Sequence, residues 1–372
     1  HPETAGKLGV SQGDTVNIIS PNGQITAPAY IYQGIHKNAV ALPIGQGHKL
    51  YGRYADNRGA NPIEILSSEP IALSGSLPFL TQLVKIEKSK IKKNLVSTEG
   101  GTFQGKREII QMVSLSEGFK PSQKKSEHTH PDMYEPIEHP VYHWGMTIDL
   151  NKCTGCASCT AACFAENNIA MVGEEEVGRG REMQWIRIEK YIEFENDKFS
   201  IDYIPILCQQ CDNAPCESVC PVFATNHSRE GLNLQIYNRC VGTRYCSNNC
   251  PYKVRRFNWF DNDFPEPLNR QLNPDVTVRE RGVMEKCTFC VQRIRIAKDK
   301  AKDKGKTVQD GEVTPACAQT CPANAIIFGN MNDKNSKVYK LSKDIRAYHL
   351  LEELNTKPSI TYLKKVKHNI NL

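Results

Sequence analysis

The cysteines of this chain are confined to one stretch of it. All fifteen lie between Cys153 and Cys321, and the first 152 of the 372 residues contain none. Most stand two or three residues from the next cysteine, which is the spacing of metal ligands and not of disulfides that close long loops. The odd number also argues against a complete set of internal disulfides. The second part of the chain is therefore predicted to fold around metal.

The cysteines fall into four groups. Group one has the spacing C-x2-C-x2-C-x3-C, the ligand run of bacterial ferredoxins, and group three has the same run but for one residue. In groups two, three and four the final cysteine is followed by proline. In chain order the groups are Cys153, Cys156, Cys159 and Cys163; Cys208, Cys211, Cys216 and Cys220; Cys240, Cys246 and Cys250; and Cys287, Cys290, Cys317 and Cys321.

This spacing suits an iron–sulfur cubane. A tight loop with a cysteine at every third position can bind three irons of one cluster, and the fourth cysteine then binds the neighbouring cluster. We expect that fourth cysteine to begin a helix, with the proline in its first turn, where no N–H is needed. Soft thiolates also favour iron–sulfur clusters over hard cations. Four groups therefore predict four clusters.

Group three lacks one ligand, because Thr243 stands at the second cysteine position. A neutral hydroxyl is a poor ligand for iron beside three thiolates, so the iron at that corner should be labile or absent. We predict one 3Fe–4S cluster in this group and three 4Fe–4S clusters elsewhere. The alternative is a 4Fe–4S cluster with water or Thr243 on one iron. A cluster that lacks one iron and one thiolate commonly has a higher potential, which suits an electron donor such as a quinol.

Two other cofactors use paired cysteines. Zinc ribbons are built from C-x2-C pairs, but tetrahedral zinc needs four ligands in two pairs, and group one does not divide that way. A zinc-stabilised interaction scaffold is still the hypothesis of another class, and it predicts a colourless protein without sulfide. Covalent c-type haem requires C-x2-C-H, and no C-x2-C pair in this chain is followed by histidine.

Charge and hydropathy limit the partners. The formal net charge is +6, but each oxidised cluster with its thiolates contributes about −2, because metal binding deprotonates the ligands. The loaded chain is therefore near neutral, which argues against nucleic acid as a partner. The longest apolar runs, such as Ala39–Ile44, are far shorter than the ~18–20 residues of a membrane span. The cations expected to offset the cluster charge locally are Arg255, Arg256, Lys286, Arg293 and Arg295.

Pattern changes divide the chain into four parts. Short β-type runs at Thr15–Ile19, Gln24–Tyr32 and Ala39–Leu42 are separated by turn signals such as Pro21-Asn22-Gly23, which predicts a small β-rich domain or barrel. The chain opens in mid-pattern without a Met, so we expect it to be a piece of a longer polypeptide. The predicted parts are the β domain over residues 1–95, an extended linker over 96–142, the cysteine domain over 143–330 and a basic helical tail over 331–372.

The linker and the tail each leave two interpretations open. His128, His130, His139 and His143 lie in or just past the linker, where they are either exposed histidines that contact a partner or ligands of a metal. The apolar residues from Val338 to Leu354 recur at three- and four-residue spacing. They predict an amphipathic helix that either is solvated or binds an acidic partner or lipid headgroups.

Two sets of motifs carry a resemblance to known families. Residues 143–330 resemble the four-cluster ferredoxin subunits of the molybdopterin oxidoreductase superfamily, through the Cys-Pro repeats, the run from Cys250 to Asn258 and Glu285-Lys286-Cys287. Residues 1–70 resemble the C-terminal cofactor-binding β-barrel domain of the catalytic subunit. The carriers of that second resemblance are Leu8-Gly9-Val10, Gly13-Asp14, Val16, Leu42-Pro43, Gly45, Gly47, Gly52-Arg53-Tyr54 and Gly59-Ala60-Asn61-Pro62.

Both modules in one chain, with a cysteine missing from group three, resemble the iron–sulfur subunit of bacterial alternative complex III. The resemblance implies an α+β fold, a β-barrel domain of molybdopterin-oxidoreductase type without molybdopterin, and a tandem ferredoxin-like domain. It also implies crossed ligation. The implied sets are Cys153, Cys156, Cys159 and Cys321; Cys163, Cys287, Cys290 and Cys317; Cys208, Cys211, Cys216 and Cys250; and, for the 3Fe–4S cluster with its vacant corner at Thr243, Cys220, Cys240 and Cys246.

The same resemblance implies partners and a place in the cell. These are a polytopic quinol-binding membrane subunit, haem c subunits and a terminal oxidase, with the chain peripheral on the periplasmic face of the inner membrane. The 3Fe–4S cluster would lie nearest the membrane and accept electrons from quinol first. We therefore expect an electron-transfer subunit with no complete substrate site of its own. The alternative is the electron-transfer part of a polysulfide or sulfur-compound molybdoenzyme whose active site lies upstream.

Overall fold

A computed structural model of the chain describes residues 1–50, 52, 54–105, 107–115, 134–195 and 198–367. The chain divides into two compact units. Unit 1 comprises His1–Ser97, Val172–Gly180 and Glu193–Ser200, and unit 2 comprises Thr98–Met171, Arg181–Ile192 and Ile201–Leu372. Unit 2 therefore contains every cysteine, together with most of the segments that the sequence suggested to be a linker and a tail.

The strands are short, as expected for domains joined by many turns. They are β1 (Asp14–Ser20), β2 (Gly23–Pro28), β3 (Lys85–Lys92), β4 (Met112–Ser114), β5 (Trp144–Asp149), β6 (Ile186–Glu195), β7 (Lys198–Leu207), β8 (Thr225–His227), β9 (Asn233–Gln235), β10 (Arg256–Phe257), β11 (Met284–Glu285), β12 (Ile326–Asn330), β13 (Ala347–Tyr348), β14 (Ile360–Leu363) and β15 (Lys365–Lys367).

The helices are short too, and most of them lie beside cysteines. In the described residues none has the length and apolar character needed to cross a membrane. They are α1 (Pro2–Lys7), α2 (Ser158–Glu166), α3 (Gly173–Gly178), α4 (Tyr245–Asn249), α5 (Val291–Asp303), α6 (Ala316–Gln319) and α7 (Lys337–Ser342).

Unit 1 is built on a three-stranded antiparallel sheet. The turn at Asn22 joins β1 to β2, and β3 pairs with the other edge of β1. The buried core is small and contains Val16, Ile18 and Ile25. β3 was not foreseen, because its lysines hide the pattern; they are characteristic of an exposed edge strand. The described residues of this unit form no closed barrel, and Ala39–Leu42 is not a strand.

Unit 2 is built around β5. This strand pairs antiparallel with β12 on one side and parallel with β14 on the other, and β13 completes the sheet. All six residues of β5 are buried, so the strand shows no polar alternation. Trp144 at its start stacks on Tyr142 and Phe328. The sheet thus fixes the ends of two cysteine loops, since group one follows β5 and group four precedes β12.

The tail differs from the helix that its sequence predicted. In the described residues of this segment the α-helix is limited to Lys337–Ser342, and a single 3-10 turn covers Glu352–Leu354. The α-helix begins at Ser336, whose side chain accepts a hydrogen bond from the Tyr339 N–H. Further on, β14 lies inside the sheet of unit 2 with all four residues buried. The prediction of a basic helical tail over 331–372 is therefore wrong. Apolar residues such as Val338, Tyr348 and Ile360 are buried in the core of unit 2, because pairing with β5 outweighs local helix propensity.

Candidate iron–sulfur centres

The four cysteine loops share one backbone feature. Two residues after the first cysteine of each group the chain has a positive φ: Gly155 (70°), Gln210 (49°), Gly242 (70°) and Phe289 (56°). A positive φ reverses the chain direction, and it is uncommon for residues other than glycine. Gln210 and Phe289 hold this conformation while fully buried. The reversal turns successive cysteines toward one centre.

Three cavities are each lined by four cysteines from distant parts of unit 2. The space between their walls, which includes space open to solvent, is about 380, 320 and 310 Å³ for cavities A, B and C respectively. Apart from the thiols, the walls are mostly apolar. The cysteines are Cys153, Cys156, Cys159 and Cys321 in cavity A, Cys163, Cys287, Cys290 and Cys317 in cavity B, and Cys208, Cys211, Cys216 and Cys250 in cavity C.

The remaining cysteines form a three-thiol group, which we call group D. Cys220, Cys240 and Cys246 lie close enough for the charges of the first two to raise the pKa of the third, although burial is the larger cause. The backbone N–H of Ala224 donates to Cys220 Sγ at 3.2 Å, and that of Met284 donates to Cys240 Sγ at 3.4 Å. The structure therefore brings together the same sets of cysteines that the resemblance implied.

Thr243 occupies the position in group D that Cys156 occupies in cavity A. Around Cys156, Gly155 and Ala157 have φ values of 70° and 60°, and α2 begins next. Around Thr243, Gly242 and Arg244 have φ values of 70° and 62°, and α4 begins next. The two loops thus have the same local course, with a hydroxyl in place of a thiol. Thr243 is also exposed to solvent.

The Cys-Pro segments depart from the sequence prediction. We expected the fourth cysteine to begin a helix with proline in its first turn, but α4 and α6 end before their Cys-Pro segments. A turn follows instead, with a positive φ three residues after the cysteine, at Phe223 (52°), Lys253 (52°) and Asn324 (47°). The turn aims the next N–H at sulfur, as when Ala325 donates to Cys321 Sγ at 3.3 Å. The proline therefore serves a turn that holds the thiolate.

Burial governs the charge of most of the thiols. It raises the pKa of Cys287 to about 12 and that of Cys159 to about 11. It also raises the pKa of Cys317 well above the usual range. A hydrogen bond with the Ser158 side chain instead lowers the pKa of the exposed Cys156. These buried thiols keep their protons unless a metal replaces them, so metal binding must release protons.

Charge interactions between neighbouring thiols indicate the order of the cavities. Burial is the main cause of the raised pKa of Cys317 in cavity B, and Cys159 of cavity A raises it further. Burial also raises the pKa of Cys287 in cavity B, to which Cys208 of cavity C adds, and Gln210 Nε2 donates to the Cys287 carbonyl at 2.9 Å. Group D adjoins cavity C through one buried arginine. The four sites therefore follow one another in the order A, B, C, D.

Arg255 is that arginine, and only 3 % of its surface is exposed. Its Nη1 donates to Cys216 Sγ of cavity C at 3.1 Å, and its Nη2 donates to Thr225 Oγ1 at 2.7 Å. Burial lowers the pKa of Arg255, but the thiols of Cys216 and Cys246 raise it by more. Because Cys246 belongs to group D, one buried cation serves both sites.

The other cations that flank the cysteine groups have different partners. Lys286 is fully buried and donates to the Cys287 carbonyl at 2.9 Å. Arg293 forms an ion pair with Glu166 at 2.6 Å, and Arg256 forms one with Glu182 at 2.6 Å. Arg295 is exposed on α5. Asn167 was not foreseen, although its Nδ2 lies 3.5 Å from Cys163 Sγ; nothing in the sequence near it indicates this contact.

The structure describes two of the four histidines that lie in or just past the suggested linker. His128 and His130 lie outside the described residues. His139 and His143 are held together, with ring centroids 4.2 Å apart, and Asp212 lies beside them. Neither histidine lines any of the three cysteine cavities.

The residues present fit iron–sulfur clusters better than zinc. A structural zinc site takes four ligands in a tetrahedron, and group D offers three thiols and a hydroxyl. Backbone N–H groups aimed at sulfur, as at Cys220 and Cys321, are characteristic of thiolates that carry cluster charge. Mostly apolar walls complete each cavity. The donor set therefore matches a cluster at each of the four sites.

Family models match three segments of the chain. A model of the molybdopterin dinucleotide binding domain matches residues 1–75. Two models of the 4Fe–4S dicluster domain match residues 152–224 and 199–265. The expectation of a molybdopterin-binding-like domain followed by 4Fe–4S ferredoxin domains is thereby confirmed.

Several curated relatives resemble the chain over about three fifths of its length. The menaquinone reductase iron–sulfur cluster-binding subunit of Nitratidesulfovibrio vulgaris is 45 % identical over 230 residues, which are 60 % of this chain and 89 % of the relative. The Hdr-like menaquinol oxidoreductase iron–sulfur subunit 1 of Archaeoglobus fulgidus is 35 % identical, over 59 % and 83 %. The arsenate respiratory reductase iron–sulfur subunit of a Shewanella species is 33 % identical, over 59 % and 95 %.

These names bear on the two assignments made from the sequence. All three relatives are iron–sulfur subunits of reductases or quinone-linked oxidoreductases, and none of the three is named as part of alternative complex III. The comparisons therefore favour the reductase alternative over the first assignment.

Proposed function

Since the chain belongs to the family of iron–sulfur cluster-binding subunits that includes the menaquinone reductase subunit, we propose that it relays electrons between a quinone and a molybdoenzyme-type reductase partner. Three 4Fe–4S clusters in cavities A, B and C and one 3Fe–4S cluster in group D form the relay. The observation that carries this proposal is the continuous order of four cysteine sites within one unit. In this proposal the chain itself transfers electrons, and the substrate chemistry takes place on its partners.

The protein's own residues give each site its properties. An iron–sulfur cluster supplies one-electron chemistry and a potential that depends on hydrogen bonds to sulfur, net charge and solvent exposure. The buried thiols and apolar walls keep water away from cavities B and C. The N–H groups after the Cys-Pro turns donate to sulfur and favour the reduced, more negative state. Arg255 does the same for two neighbouring sites through its charge.

Group D is the proposed contact with the quinone-binding partner. Its loops expose Val241 and Tyr245, with 64 % and 56 % of their surfaces accessible, and Phe223, with 60 %. Large apolar side chains exposed together on a monomer commonly mark an interface. Thr243 lies on the same exposed loop as Val241 and Tyr245. A site that is open at one corner and rimmed by apolar residues suits electron entry from a membrane partner.

An interrupted relay tests the order and direction of flow. We expect the double variant Cys208→Ala/Cys211→Ala, which leaves cavity C only two of its four thiols, to leave the reduction of group D by a menaquinol analogue at the wild-type rate in the assembled complex. The signals of cavities A and B should then appear at least about tenfold more slowly, because C stands between them and D. Rapid freezing followed by EPR spectroscopy measures each signal separately. Ser218→Ala is the matched control, since Ser218 is exposed on the same loop.

Two outcomes would overturn the proposal. Reduction of A and B at the wild-type rate in the double variant Cys208→Ala/Cys211→Ala would show that electrons do not pass through C. Failure of the quinol to reduce any site in the intact wild-type complex would remove the quinone from the scheme.

The effect of Arg255 supplies a second prediction. Replacing it with methionine removes a buried positive charge beside two sites, so their midpoint potentials should fall by about 60 mV, which corresponds to ~1.4 kcal/mol for a one-electron couple. The potentials of A and B should stay unchanged. Arg255→Lys, which retains the charge, should give a smaller shift, and Arg295→Met is the exposed control. A redox titration followed by EPR distinguishes the four sites; an equal fall at all four would contradict a local role.

Alternative complex III is the second candidate, favoured by one observation. The molybdopterin-type segment, residues 1–75, and the 4Fe–4S segments lie in the same chain. This candidate expects haem c subunits, a location on the periplasmic face and no molybdenum. Metal and haem analysis of the isolated complex decides between the two: molybdenum with pterin supports the reductase, and haem c without molybdenum supports the second candidate.

A further inference from the structure

A cluster of imidazoles and a carboxylate lies apart from the cysteine cavities. His139 and His143 stand just before β5, and Asp212 follows Cys211 in the loop of cavity C. One ring nitrogen of each histidine and one carboxylate oxygen of Asp212 all lie within 4.8 Å of one another. The His139 and Asp212 side chains are only 5 % and 20 % exposed. We propose that these three residues bind a zinc ion that is separate from the iron–sulfur clusters.

The contacts of His139 direct one ring nitrogen at Asp212. Its Nδ1 lies 3.4 Å from the Arg229 carbonyl oxygen, and its Nε2 lies 3.3 Å from Asp212 Oδ1. A metal ion bound between Nε2 and Oδ1 would take the place of the proton that otherwise joins these two atoms. Zinc at about 2.0–2.1 Å from each ligand separates tetrahedral ligands by about 3.3 Å, which matches this spacing.

A second layer of contacts holds the three ligands. His227 Nδ1 lies 3.0 Å from Glu217 Oε1, and its Nε2 lies 3.1 Å from Asp212 Oδ1, so this ring orients the carboxylate. Supporting carboxylate–histidine contacts of this kind are typical around metal ligands. His143 has Ser359 Oγ at 3.0 Å from its Nε2.

Gly231 leaves the space that His143 occupies. A Cβ atom on Gly231 would lie 2.5 Å from His143 Cδ2, and the φ of Gly231 is +76°. Only glycine therefore lets this backbone approach the ring so closely. The arrangement places His143 beside His139 without contact with any cysteine cavity.

Zinc rather than iron suits these ligands. Imidazole nitrogen and carboxylate oxygen are ordinary zinc ligands, and three protein ligands leave a fourth position for water. The cysteine cavities offer only sulfur. Zinc here would fasten the segment before β5 to the loop that carries Cys208 and Cys211, which ties the sheet of unit 2 to cavity C.

The test uses the full, cluster-loaded protein and zinc itself as the probe. After incubation with equimolar zinc and removal of the excess, we expect about one zinc per chain, with nitrogen and oxygen neighbours at about 2.0–2.1 Å in X-ray absorption spectra. His139→Gln and His143→Gln should each retain at least tenfold less zinc. Their iron content and EPR spectra should be unchanged, which shows that the variants fold. His36→Gln, an exposed histidine of unit 1, is the matched control.

Three results would overturn the proposal. They are wild-type protein that binds no zinc, variants that retain it, and zinc with sulfur neighbours at about 2.3 Å, which would place it in a cysteine cavity. If neither variant folds, wild-type protein dialysed against a chelator that spares the clusters serves instead. That protein should lose its zinc while retaining iron, and it should recover the nitrogen and oxygen shell when zinc is returned.

Discussion

Removing iron from the protein is expected to unfold unit 2. Cavities A, B and C each collect four thiols from loops that are far apart in the chain. Because such ligand sets exist only in the folded state, metal binding contributes directly to the free energy of folding, at ~10–16 kcal/mol for a structural metal site. Losing three such sites would exceed the roughly 5–15 kcal/mol that stabilises a typical domain. The clusters therefore contribute a large part of the stability of this unit.

Hydrogen exchange followed by mass spectrometry measures this effect segment by segment. After treatment with an iron chelator and reductant, protection should be lost at β5, β12 and β14. It should persist at β1 and β2, whose core in unit 1 contains no cysteine. A chelator without reductant, which removes only loosely bound metal, is the control. Retained protection at β5 after complete iron loss would contradict the prediction.

The second large effect is expected from Thr243→Cys. The new thiol would stand where the loop already has the course of the Cys156 loop, so it can complete the ligand set of group D. The 3Fe–4S EPR signal of the oxidised protein should disappear. The iron content should rise from about fifteen to about sixteen per chain, as three irons become four. The potential of this site should fall, and quinol oxidation should slow with it.

Val241→Cys is the matched control for that variant. It adds a thiol to the same loop at an exposed position, two residues away from the ligand position. It should leave the signal and the iron content unchanged. If wild-type protein already contains sixteen irons, or if Thr243→Cys leaves the spectrum unaltered, group D holds a four-iron cluster and the vacancy is wrongly assigned.

The cysteine sets were foreseeable, whereas the turns that position them were not. The spacing of the cysteines limits which thiols can bind the same cluster. The family resemblance then implied that Cys163 binds the same cluster as three cysteines of group four. The positive φ values at Gln210 and Phe289 have no signal in the sequence, since neither residue favours that conformation. They are maintained by burial in the folded unit. The proline after Cys321 was recognised, but its turn was mistaken for the first turn of a helix.

Distant pairing explains the other differences. β14 lies in the segment expected to be a helical tail, because its pairing with β5 involves residues more than two hundred positions earlier. The sequence of β3 resembles that of a charged loop, because β3 is an edge strand that pairs only with β1 in its sheet. The two sites to which Arg255 contributes lie next to each other only after groups two and three have folded together. The local sequence pattern predicts neither these strand pairings nor the position of Arg255 between two sites.

The crossed arrangement of cavity A has a consequence for how the protein is made. Cys153, Cys156 and Cys159 emerge from the ribosome well before the fourth cysteine of their cavity, Cys321. Cavity B has the same requirement, because Cys163 must wait for Cys290 and Cys317. Neither site has its full set of thiols before the fourth cysteine group has been synthesised. Cluster insertion at cavities A and B must therefore follow synthesis of that group, and a protein truncated before Cys321 would lack the fourth thiol of cavity A.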